Sequence, residues 1–85
     1  MQRNHKSGVL RIAPRIIVDP KIRSGKPVIE GTRVPIEVLV GAVAAGMTVE
    51  RVADEYGVTR QDVLSALRYA AEVLAGEEIR AIGSR

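Results

Sequence analysis

Cysteine is absent, so disulfides, cysteine-ligated zinc and thiol nucleophiles are unavailable to this 85-residue chain. Histidine occurs once, as His5, and no second histidine exists to activate Ser7, Ser24 or Ser65. The acidic pairs Asp54-Glu55 and Glu77-Glu78 are sequence neighbours and diverge on a helix, as solvated charges do. The sequence therefore reads as a non-enzyme without metal or cofactor. Phenylalanine and tryptophan are missing too, and Tyr56 and Tyr69 are the only aromatics, which leaves Val, Ile, Leu and Ala to build the core. No run reaches the ~20 apolar residues of a membrane span, and the basic start lacks the apolar run and cleavage site of a secretory signal. A cytoplasmic protein with no membrane partner is expected.

What is present suits one small folded domain, with 46% hydrophobic and 27% charged residues. A domain below ~80 residues gains only ~3 to 5 kcal/mol from a single core, so further burial in a homodimer or higher homo-oligomer is expected, built largely by residues 9 to 36. The net charge of +3 hides an asymmetry: residues 1 to 33 carry eight Lys/Arg against Asp19 and Glu30, whereas the remainder is acidic overall. The basic half suits phosphate backbones.

Three units follow along the chain: a flexible basic tail over 1–8, a folded domain over 9–76, and a C-terminal tail or short helix over 77–85. Within the domain, the β-branched runs Arg15 to Val18 and Pro27 to Ile29 predict two short strands, separated by the turn signals Asp19-Pro20 and Ser24-Gly25. Gly31-Thr32-Arg33 predicts a turn, and Pro35 opens a helix to about Ala45, stopped by Gly46. A second helix starts at the N-cap Thr48, buries Val49, Val52, Ala53 and Tyr56, and ends at Gly57. A third opens at Thr59, with Asp62 three residues on in a capping-box arrangement, and runs to Ala75 before Gly76. Its buried stripe is predicted to be Val63, Ala66, Leu67, Ala70, Val73 and Leu74. The fold class is mainly α: a small helix-turn-helix bundle, homeodomain-like or winged-helix-like, with a short N-terminal β segment.

Val49 to Arg68 carries the sharpest signal, because Ala53 allows close helix approach, Gly57 takes a left-handed turn, and Val58 plugs the space beneath. An ordinary helical hairpin uses the same devices. In the helix-turn-helix reading, Thr59, Arg60, Gln61, Ser65 and Arg68 face double-stranded DNA while Arg11 and Arg15 hold its backbone. Asp62 and Glu72 speak against it, since carboxylates repel phosphate. At the C-terminal end, Glu72, Leu74, Ile79 and Ile82 form an amphipathic element suited to a partner groove.

The stretch from Gly25 to Ile36, reading GKPVIEGTRVPI, with Ala45-Gly46-Met47-Thr48 and Ala66-Leu67-Arg68-Tyr69-Ala70, resembles the family called domain of unknown function 433, over roughly residues 15 to 72. Members are similar to VapB-type antitoxins found beside PIN-like ribonuclease toxins. The resemblance implies a protein that binds operator DNA, represses its operon and neutralises such a toxin. The family commonly has a proline-leucine turn after the tyrosine, where this chain has Gly57-Val58. The Gly25-to-Pro35 core itself reads as a shaped strand and turn: Pro27 stands where a phosphate loop needs Ser or Thr. Two function classes remain, a DNA-binding antitoxin and a small protein-interaction module that binds no DNA.

Overall fold

In a computed structural model of the chain, residues 8–83 are described, with side chains through Gly76. The expected basic tail lies almost wholly outside them, as do the side chains of Ile79 and Ile82. Three strands, β1 (Leu10–Ala13), β2 (Ile16–Val18) and β3 (Val28–Ile29), precede three helices, α1 (Ile36–Ala44), α2 (Val49–Tyr56) and α3 (Arg60–Gly83). The strands form one antiparallel sheet in the order β1-β2-β3.

The sheet corrects the sequence reading in two places. Arg15 was expected to begin a strand, but it sits in the hairpin turn between β1 and β2 with φ 67°, a left-handed value outside the strand region. The strand before that turn, β1, was not expected at all. A bulge between Arg11 and Ala13 breaks its register, and Leu10 and Ile12 are both exposed, so the four-residue strand shows no alternation of burial.

Thr32 closes the next turn as anticipated. Its hydroxyl donates to the Ile29 carbonyl at 2.8 Å and accepts from the Val34 N–H at 3.0 Å, while Gly31 takes φ 82°. The Ile36 N–H reaches back to the Pro27 carbonyl at 3.0 Å, so α1 leaves directly from the edge of β3. α3 packs on both α1 and α2. Ile16, Val28, Ile29, Leu39, Val52 and Val63 are fully buried where sheet and helices meet. Each such side chain contributes about 1.5–3 kcal/mol relative to exposure.

Three helix expectations need correction. Tyr56 is 37% exposed rather than core, because α2 ends there and its last turn overhangs the bundle. Gly76 does not stop α3, which continues to Gly83, so the expected domain boundary at 76/77 falls inside a helix. A helical glycine costs only ~0.5–1 kcal/mol relative to alanine, which neighbouring turns outweigh. Val73 and Leu74, predicted as buried, are exposed: they line an open groove beside Ile36 and Val40 of α1 rather than packing into the core. No described helix is long and apolar enough to cross a membrane.

Candidate nucleic-acid interface

The start of α3 is built by a reciprocal cap. The Asp62 N–H donates to the Thr59 hydroxyl at 3.0 Å, and the Thr59 N–H donates to Asp62 Oδ2 at 3.1 Å. Ahead of it, Gly57 at φ 68° ends α2, and the Val58 N–H reaches the Ala53 carbonyl at 3.0 Å. Val58 packs against the core, as its plugging role requires. The link from α2 to α3 is therefore fixed by local hydrogen bonds at both ends.

Asp62 also corrects the sequence reading. It is only 2% exposed and turned away from the outer face. Arg15 Nε donates to its Oδ1 at 2.9 Å, and a second guanidinium nitrogen lies 3.4 Å from Oδ2. Desolvation pushes the Asp62 carboxyl pKa up, but hydrogen bonds from Arg15 and Thr59, with the charge of Arg15, together hold it below the usual carboxylate range. The same pair raises the Arg15 pKa. The Arg15 carbonyl in turn accepts the Glu30 N–H at 2.8 Å. One arginine thus ties the hairpin turn, β3 and the N-terminus of α3 together.

With Asp62 turned inward, the outer stripe of α3 carries Gln61, Ser65, Arg68 and Glu72. These line a shallow groove with Leu64, Tyr69, Ala13 and Pro14, so the hairpin forms its opposite wall. Of the residues expected at DNA, the groove gathers Gln61, Ser65 and Arg68. Thr59 is engaged in the cap beside it. Arg60 lies at the exposed helix start, its Nε 2.9 Å from Glu50, and that hydrogen bond lowers the Glu50 pKa. Arg11 lies on β1, paired with Glu30 at 2.7 Å. Arg15 holds Asp62. Arg68 has no ion-pair partner among the described residues.

The residues expected at a protein partner separate. Glu72 belongs to the polar groove, whereas Leu74 lies with Val73, Ala70, Val40 and Ile36 along an apolar groove between α1 and α3. No group of three or more His, Cys, Asp or Glu residues fit to hold a metal ion occurs among the described residues. The sequence reading missed the Arg15–Asp62 tie. Its partners lie 47 positions apart, and its only trace in the sequence was a carboxylate misplaced on a reading face.

Comparison with known proteins places this geometry. A protein of Mycobacterium tuberculosis (strain ATCC 25618 / H37Rv) named "Putative antitoxin VapB45" is 38% identical over 52 residues, which cover 61% of this chain and 22% of that protein. The X-ray crystal structure of Rv2018 from Mycobacterium tuberculosis superposes with a TM-score of 0.66 at 30% identity, covering 79% of this chain and 34% of the other. The chain thus matches only a fraction of each relative's length. Residues 16–70, from β2 through the capped start of α3, match the family described as protein of unknown function (DUF433). That span holds the Gly25-to-Pro35 turn, the link between α2 and α3 and most of the polar groove, and the chain belongs to the DUF433 family.

Proposed function

We propose that this chain is the DNA-binding module of an antitoxin, with α2 and α3 acting as a helix-turn-helix and α3 entering the major groove. The observation that carries the reading is the inward turn of Asp62, which removes one of two carboxylates from the DNA face and leaves Gln61, Ser65 and Arg68 on it, with Glu72 the remaining carboxylate at its C-terminal end. The VapB45 name supports the antitoxin role. Gln61 and Arg68 suit adenine and guanine edges, Ser65 suits bases or phosphates, and Thr59 and Arg60 lie at the helix start where recognition helices meet DNA. Two copies pair through the exposed edge of β1, where Leu10 and Ile12 are uncovered, and read half-sites ~34 Å apart to repress their operon. The segment from Glu72 onward, with Leu74, Ile79 and Ile82, engages a PIN-like ribonuclease toxin.

The test is a fluorescence-anisotropy titration against the duplex upstream of the gene and against a random duplex. Gln61→Ala is expected to cost about 1–3 kcal/mol on the cognate palindrome and little on the random one. Equal binding of the wild type to both duplexes overturns sequence reading by α3. A second reading, an assembly module that binds no DNA, is favoured by one feature, the exposed Val73 and Leu74 on the apolar groove.

A further inference from the structure

The cations of the N-terminal half fall into two kinds. Arg11, Arg15 and Lys26 each hold a carboxylate, at 2.7, 2.9 and 2.9 Å. Lys21, Arg23 and Arg33 hold none among the described residues. Those three line one open concavity with Pro20, Ser24 and Lys26, formed by the loop between β2 and β3 and by the turn before α1. The one carboxylate within that loop, Asp19, is engaged with the backbone, accepting the Lys21 N–H at 2.9 Å. Its carbonyl accepts the Ile22 N–H at 2.8 Å, and the Gly25 and Lys26 N–H groups bond to the Ile22 and Arg23 carbonyls at 3.1 Å. These bonds hold Arg23 and Ser24 at φ 52° and 57°, left-handed values that residues other than glycine rarely adopt. The N–H groups of Arg23 and Ser24 and the Ser24 hydroxyl have no hydrogen-bond partner among the described residues.

Three cations without carboxylates, a free hydroxyl and two free backbone donors around one concavity form a donor set for phosphate oxygens. We infer that this loop binds phosphates of the DNA backbone, as an anchor separate from the α3 groove, with which it shares no lining residue. The inference rests on the reading that the chain binds DNA. A paired arginine must release its carboxylate to take a phosphate, whereas Lys21, Arg23 and Arg33 exchange only counterions. Phosphate contact is thereby assigned to the loop rather than to Arg11 and Arg15.

The experiment measures affinity for a random-sequence 20-bp duplex across a range of salt concentrations, together with discrimination of the upstream duplex. The triple variant Lys21→Gln, Arg23→Gln, Arg33→Gln changes only exposed side chains. It is expected to weaken random-duplex binding and to reduce the slope of log affinity against log salt by about 2 to 3, while still preferring the upstream duplex. Arg11→Gln, which removes an equally exposed but paired charge, is expected to leave the slope nearly unchanged. An unchanged slope in the triple variant overturns the loop site and leaves α3 recognition standing. An equal loss of slope per charge from Arg11→Gln overturns it as well, since net charge alone would then account for binding. A wild-type chain that binds neither duplex overturns both readings together.

Discussion

The two halves of α3 meet opposite surroundings. At the start, Val63 and Ala66 are fully buried and Asp62 is clamped by Arg15 and Thr59. From Ala71 to Gly76 every residue is exposed, Val73 and Leu74 included. The 24 residues of α3 span about 36 Å against about 13 Å for the 9 of α1. Apolar periodicity continues along α3, but Val73 and Leu74 line an open groove beside Ile36 and Val40 of α1 instead of packing into the core. The first half therefore carries stability and presents the polar groove, while the second offers apolar surface with no contribution to the core.

The sharpest test of that contrast is a pair of leucines. Leu39→Ala removes a fully buried side chain of α1 that the first half of α3 covers, and is expected to cost about 2–5 kcal/mol in urea unfolding. Leu74→Ala, on the second half, should stay within about 0.5 kcal/mol. Similar losses from both would show that the distal half is packed in solution, through a second copy or otherwise.

Next in size is the clamp. Asp62→Ala removes a cap acceptor and the partner of Arg15, with an expected cost of about 1–3 kcal/mol, the ion-pair share being modest because Arg15 is half-exposed. Because the Asp62 pKa is lowered on folding, its contribution is fully present above the unfolded value near ~3.9. It is lost as the pH falls through the lower folded value. Stability measured by denaturation from pH 6 to pH 2 should accordingly fall less steeply in Asp62→Asn than in the wild type. Parallel profiles would mean that the carboxylate gains nothing from the clamp.

The smallest effect is a difference in sign between two glycines. Gly57→Ala forces a side chain into φ 68° and should destabilise by about 1 kcal/mol, although nothing lies within 4 Å of the added carbon. Gly76→Ala, in open space inside α3, should stabilise by up to about 1 kcal/mol. Thermal melts of the two variants give the answer. A destabilising Gly76→Ala would show that the helix does not continue through that position.

Local signals made much of the candidate interface legible. Thr48 and Gly57 bound α2, and Thr59 and Asp62 cap α3, because each device acts over three or four residues. The Gly31-Thr32 turn was legible for the same reason. The outer stripe of Gln61, Ser65, Arg68 and Glu72 follows from helical spacing once that start is known. By contrast, β1 is only four residues long, so its Leu10-Arg11-Ile12 alternation covers too few positions to mark a strand, and its bulge lies between Arg11 and Ala13.

The sequence by itself determined where the helices after Pro35 begin, the end of α2 at Gly57 and the uneven charge of the chain, since propensity, turn chemistry and side-chain spacing operate between near neighbours. Tertiary structure alone decided which charges are neutralised. Arg15 meets Asp62 across 47 positions and Arg11 meets Glu30 across 19, so only folding separates these paired arginines from Lys21, Arg23 and Arg33, which hold no carboxylate among the described residues. It also decided where the apolar stripe of α3 stops being core, because burial depends on how closely α1 packs against it, which no residue of α3 encodes.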